Sequence, residues 1–131
     1  MTPELAALSA TALVHFASVM VAQRSLTRDI GRDGNMGTRE GMEERLSPVT
    51  LRLRRANANF TENIGPFIIA VVVVVLAEKT SALTAALAWA YVVARILYVP
   101  AYAFAWVPGR SLIWSAGFFA TLALLFLGLF G

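Results

Sequence analysis

Four apolar stretches divide this chain, and one of them differs from the rest. Leu5–Ala22, Ala82–Phe104 and Leu112–Phe130 approach or exceed the length that an apolar helix needs to cross a bilayer, roughly 20 residues. The first and last carry no charge, and Ala82–Phe104 carries only Arg95. The remaining uncharged run, Ile64–Ala77, is 14 residues long and cannot span alone. Directly before it stand Arg52, Arg54, Arg55, Asn57, Asn59, Glu62 and Asn63. The helix that spans here must therefore draw its other half from polar residues. Ionisable groups at membrane depth are costly unless they face a protein interior or a wet cavity. The pattern predicts an all-α integral membrane protein, a four-transmembrane-helix bundle in which the second helix needs partners for its polar half. The spans are expected over about residues 4–27, 48–77, 81–106 and 110–130, in a single domain covering 1–131.

Composition agrees with this class. Hydrophobic residues make up 58% of the 131 positions and charged residues 15%, against roughly 25% charged in soluble domains, and the mean hydropathy is +0.67. The first span does not read as a cleaved signal peptide, which carries positive charge ahead of its apolar region; here the first Lys or Arg is Arg24. With no cysteine, disulfide frameworks, thiolate metal sites and a protein thiol nucleophile are excluded. Any thiol chemistry would have to arrive on a substrate. No metal-ligand spacing, phosphate loop or nucleophile–base–acid signature is present.

The location of charge sets the expected topology. Of 11 Lys and Arg residues, eight (Arg24, Arg28, Arg32, Arg39, Arg45, Arg52, Arg54 and Arg55) lie between the first apolar span and the second. The second connection carries only Lys79, and the third carries Arg110. The positive-inside rule places the first and third connections in the cytoplasm. The first connection, about 28–47, holds Gly31, Gly34, Gly37 and Gly41 among mixed charges and reads as a solvated loop, with a lid over the cytoplasmic mouth as the sharper alternative. Ser47 followed by Pro48 reads as an N-cap and first-turn proline.

Helical spacing gathers the polar residues of two spans. Arg52, Arg55, Asn59, Glu62 and Pro66 share one face of the second helix, and Tyr91, Arg95, Tyr98 and Tyr102 share one face of the third. An Arg95–Glu62 ion pair is the expected way to keep both charges in the bilayer interior. On the cytoplasmic side of it, Arg54, Arg55, Asn59, Tyr98, Tyr102 and Arg110 are expected to ring a funnel. Arginine grips carboxylates bidentately, and tyrosine hydroxyls donate or accept, so this lining suits a small zwitterionic anion. Pro66 and Pro100 each remove a helical N–H beside the polar face. His15 is expected to be a hydrogen-bonded interior histidine, and Trp89, Trp106 and Trp114 are expected to be interfacial anchors.

Two groups of residues resemble a known family. Arg54, Arg55, Ala56, Asn57, Asn59, Glu62, Asn63, Pro66 and Phe67 match in type and spacing the second-helix signature of the membrane-associated proteins in eicosanoid and glutathione metabolism, MAPEG. Arg95, Tyr98 and Tyr102, followed by Pro108, Arg110 and Ser111, resemble its third helix and third connection. The likeness covers essentially the whole chain and is nearest the bacterial branch. It implies a homotrimer in the bacterial inner membrane, with glutathione as co-substrate bound between subunits. By resemblance, Arg55, Asn59, Glu62, Tyr98 and Tyr102 hold glutathione and Arg110 stabilises its thiolate. The leading expectation is a glutathione-dependent transferase or peroxidase acting on lipophilic electrophiles. The alternative is a non-catalytic protein that keeps the trimeric fold and binds glutathione or another small anion or lipid. Expected partners are further copies of the chain, membrane lipid and a lipophilic small molecule, with no nucleic acid.

Overall fold

In hydrocarbon every backbone N–H and C=O must find its partner within the chain, which leaves helices as the economical solution. The computed structural model describes residues 1–131 and holds four long helices: α1, Pro3–Met36; α2, Pro48–Leu76; α3, Ala82–Ala103; and α4, Gly109–Phe130. All four are long and apolar enough to cross a membrane, and the chain is an integral, multi-pass membrane protein.

The helices begin where local chemistry tells them to. Thr2 accepts from the Leu5 N–H ahead of Pro3, and Ser47 accepts from the Thr50 N–H ahead of Pro48, the start expected for α2. Ser81 and Thr84 form a reciprocal capping box at α3. Such caps replace the intrahelical partners that a first turn lacks. α2 and α3 continue through Pro66 and Pro100.

α1 is unbroken from Pro3 to Ile30, about 42 Å at ~1.5 Å per residue, against a hydrocarbon core of about 30 Å. Its arginine-rich end therefore emerges from the membrane. This revises the expected solvated loop over 28–47. The helix runs on to Ile30 and breaks at Gly31, whose φ of 76° and ψ of 170° suit glycine. The chain then turns back, so that Asn35 Nδ2 donates to Gln23 Oε1 at 3.2 Å and to Thr27 Oγ1 at 2.8 Å. A 3₁₀ turn, Met42–Arg45, follows. Met42 and Leu46 bury against Leu26 and Ile30. The glycines do make turns, but a small apolar cluster folds the segment onto α1.

The next device ties α1 to α2. Asp29 Oδ2 accepts from the Ser47 N–H and from the Ser47 hydroxyl, each at 2.9 Å, and also from the Thr50 hydroxyl. A carboxylate at the start of α2 also complements the helix dipole. The Asp29 carboxyl is held below its ordinary pKa, chiefly by the Thr50 hydroxyl and then by the Ser47 N–H; partial burial opposes them, while the Ser47 hydroxyl and the Arg28 charge assist.

α2 and α3 form the short diagonal of the bundle, and α1 and α4 lie on opposite flanks, each packed on both central helices. Away from the arginine-rich end, Phe67, Ala70, Val71 and Val74 of α2 close against Ala88, Tyr91 and Val92 of α3, with Ala7 and Leu124 from the flanks. Phe67 stacks on Tyr91 at 3.9 Å and 10°. Small residues bring backbones together, as is usual between membrane helices: a Cβ on Gly128 would come within 2.9 Å of Val73 Cγ1. At that end Glu4 is buried and accepts from the Thr84 hydroxyl, and Lys79 Nζ donates to the Gly128 carbonyl at 3.0 Å.

Candidate functional site

Between α2, α3 and α4, toward the arginine-rich end, the bundle opens into a cavity of about 490 Å³. Four of the residues singled out from the sequence meet there: Asn59 from α2, Tyr98 and Tyr102 from α3, and Arg110 from the first turn of α4. Ser111, Trp114 and Ser115 complete the lining. The Arg110 guanidinium lies 4.6 Å from the centre of the Tyr102 ring, a cation–π arrangement that fixes its direction without neutralising it. Tyr98 meets Tyr102 edge-on at 5.8 Å. The cavity thus presents one cation, an amide and several hydroxyls, most of them able to donate hydrogen bonds; the Ser115 hydroxyl instead donates to the Ser111 carbonyl at 2.8 Å. Such a set can take the carboxylates and amides of a small polar anion.

Arg55 and Glu62 are not part of this lining. Both are exposed on the outer side of α2. With Ala58, Gly65, Ile69, Val72 and Leu76 they form a stripe at alternating spacings of three and four residues, on which only Gly65 is partly covered. That spacing is the signature of a helix seam awaiting another helix.

The expected Arg95–Glu62 ion pair is not formed within the chain. Arg95 is only 5% exposed; its Nη1 donates to Asn59 Oδ1 at 3.1 Å and its Nε to Tyr91 Oη at 3.2 Å. The faces of Phe60, Tyr98 and Tyr91 surround it at 4.9, 5.2 and 5.4 Å. The reason is rotational. Residues three apart on a helix stand about 60° apart around its axis, so turning Asn59 toward α3 carries Glu62 outward. The buried guanidinium is held by aromatic faces and neutral oxygens, with two of its five N–H groups engaged.

Two other expectations meet different outcomes. His15 Nε2 lies 3.0 Å from Thr61 Oγ1, with its ring edge-on to Phe60, so the expected hydrogen bond is present, but on a half-buried residue at the bundle surface rather than in its interior. Trp89 and Trp106 are exposed near helix ends, as anchors are. Trp114 instead walls the cavity. Sequence reasoning assigned Trp114 to the interface, gave Ser111 only as part of the family-like third connection, and passed over Ser115. The available signal was Ser111 and Ser115, one turn apart just after Arg110 on a mostly apolar helix, with Trp114 beside them.

A second, smaller space adjoins the first across Trp114. It measures about 110 Å³ between α2 and α4, with Asn63, Tyr91 and Arg95 on one side and Phe118 and Leu122 on the other. Asn63 lies one turn along α2 from Asn59, and its Nδ2 donates to the Asn59 carbonyl at 2.8 Å.

No individual curated protein and no solved structure matches the chain. The family model described as "MAPEG family" matches residues 3–130, and with nearly its full length covered the chain belongs to that family.

Proposed function

We propose that this protein is a membrane-bound, glutathione-dependent transferase or peroxidase acting on lipophilic electrophiles. The observation that carries this reading is Arg110, aimed by Tyr102 into a polar cavity that Asn59 and Tyr98 also line. The cavity's volume of about 490 Å³ falls within the range of small-ligand sites, ~300–1,000 Å³. Its donors suit the two carboxylates and the amides of glutathione. In this reading Asn59, Tyr98 and Tyr102 hold the tripeptide while Arg110 faces its sulfur. A fixed guanidinium favours the thiolate over the thiol, and the thiolate is the nucleophile. Its lone pair forms the new bond to the electrophilic carbon of an acceptor while that carbon's leaving group departs with its bonding pair, or to one oxygen of a hydroperoxide while the O–O bond breaks and the other oxygen leaves as the alcohol after taking a proton. A chain lacking cysteine must receive its sulfur in this way.

Arg55 and Glu62 enter through self-association. Their exposed stripe on α2 places two charges at depths where lipid is a poor neighbour. A homotrimer, the assembly implied by the family resemblance, would pair that stripe with other copies and bring Arg55 and Glu62 toward the glutathione. Eight of 11 basic residues at one end support a bacterial inner-membrane orientation with the site open to the cytoplasm.

The test is a glutathione titration of the detergent-solubilised protein at neutral pH, following the ultraviolet absorbance of the thiolate. An unperturbed thiol of pKa ~8.5 is only a few per cent ionised there. A saturable signal that disappears in Arg110→Ala supports the enzyme. Calorimetric binding without thiolate would replace it with a binding protein, and absence of binding would end the glutathione reading.

A further inference from the structure

At the end of the bundle opposite the arginines, a buried carboxyl stands outside everything the polar cavity explains. Glu4 is 1% exposed; its Oε1 accepts from the Thr84 hydroxyl, while Oε2 is buried without a hydrogen-bond partner. A desolvated, unsatisfied polar atom is costly, and more so when charged. Glu4 lies in the first turn of α1 and Thr84 in the first turn of α3, so the positive ends of both helices favour a carboxylate there. Glu4 also borders a pocket of about 240 Å³ between these helix starts, together with Thr2, Thr80, Ser81 and Ala85. It is the one buried residue of that lining and so forms the floor. Trp89 sets the level of the pocket. Its exposed indole donates to the Pro3 carbonyl at 3.1 Å, and tryptophans at span ends sit among lipid headgroups.

We propose that this pocket binds a phosphoethanolamine headgroup, with its primary ammonium donating to Glu4 Oε2. An ammonium brings three N–H donors and the compensating charge, and the Thr80 hydroxyl on the rim accepts from it as well. The phosphate is served by the start of α3. There the Ala82 N–H, on the same pocket, has no intrahelical partner, and a helix start attracts anions. Ammonium and phosphate are joined by a short ethylene link, as the acceptor floor and the donor rim are joined in one pocket. A choline headgroup carries its charge on a nitrogen without N–H and would leave Oε2 unpartnered. A glycerol headgroup brings no cation at all. The site lies at the end away from the polar cavity and does not rest on the transferase reading.

The experiment is native mass spectrometry of the delipidated protein in detergent, given an equimolar mixture of phosphatidylethanolamine, phosphatidylcholine and phosphatidylglycerol with identical acyl chains. One site per chain should fill first, and phosphatidylethanolamine should be preferred about tenfold or more, the scale of a charge-assisted hydrogen bond. Glu4→Gln keeps an acceptor for Thr84 and should remove the preference. Ala85→Leu narrows the pocket from a half-buried position and should weaken the ethanolamine lipid about tenfold or more, with helical content and oligomeric size unchanged. It carries the test if Glu4→Gln does not fold. Soluble phosphoethanolamine at the same concentration separates the two sources of this headgroup. Retained lipid marks a phospholipid site, and displacement marks a site for the free zwitterion, each with its ammonium on Glu4. Equal occupancy by all three lipids would mean that a water serves Glu4, and preference for phosphatidylglycerol would mean that the helix start alone holds a phosphate. Either result overturns the ammonium site, as does a preference that survives both variants.

Discussion

The two halves of the α2–α3 diagonal are built on opposite principles. Toward one end Phe67, Val71 and Val74 meet Tyr91 and Val92 in one apolar cluster, every member nearly or fully buried. Toward the arginine-rich end the same two helices meet through the polar contact of Arg95 with Asn59, and a cavity of about 490 Å³ lined by Asn59, Tyr98 and Tyr102 opens beside them. Membrane helices gain little from apolar burial as such, because lipid is equally apolar, so shape matching and hydrogen bonds decide their association. The dry half uses shape, with Phe67 stacked on Tyr91. The wet half uses a few directed polar contacts and leaves donors over. The lesson is a division of labour within one helix pair: a rigid end holds the angle, and the other end can therefore stay open for a ligand.

The contrast is broken most severely from the dry side. Phe67→Ala deletes a fully buried ring and should cost about 3–5 kcal/mol of stability, read as a lowered unfolding midpoint in detergent. Because the cavity depends on the frame, ligand binding should fall with it. Arg110→Ala attacks the wet side alone. Glutathione thiolate should drop tenfold or more, while stability changes by no more than about 1 kcal/mol, the scale of a lost cation–π contact. If the two readouts fell together, the halves would not be separable. Asn59→Ala strikes the junction: it leaves Arg95 Nη1 without its acceptor, at about 1–3 kcal/mol, and should weaken glutathione binding as well. Differential scanning together with calorimetry would read both effects.

The smallest effect concerns pH at the exposed end. The Asp29 carboxyl has a lower pKa folded than free, so its clamp on α2 is complete above the unfolded value, near ~3.9, and fades as pH falls through the folded one. The protection of amides over residues 47–51, taken as exchange relative to the intrinsic rate at each pH, should stay flat between about pH 8 and about pH 5 and fall below about pH 4. Asp29→Asn should show the faster exchange already at neutral pH.

Much of this architecture was legible from the sequence. Four apolar runs and their caps mark the helices, because hydrophobic length is a strict requirement of a bilayer. Asn59, Tyr98, Tyr102 and Arg110 were recognisable as one lining because helical periodicity and antiparallel order bring them to one level. Periodicity alone could not choose between Asn59 and Glu62 as the partner of Arg95, since both lie within a broad polar arc and the choice depends on how α2 is rotated. Trp114 was misjudged for a related reason. A tryptophan near a helix end fits the membrane interface by composition, and only the approach of α4 to α2 turns it inward. The folded segment after Gly31 was hidden because Leu26, Ile30, Met42 and Leu46 bury one another across a reversal that has no repeat in the sequence.

The diagonal arrangement has a thermodynamic corollary. With α1 and α4 kept apart by α2 and α3, substitutions on one flank share almost no contacts with those on the other, and their free energies should simply add. Arg95 is a polar exception to that rule. Arg95 borders the groove beside Val14 and Ser18 of α1 as well as the one beside Phe118 of α4. Non-additivity between substitutions at Val14 or Ser18 and at Phe118 should therefore shrink when Arg95 is replaced.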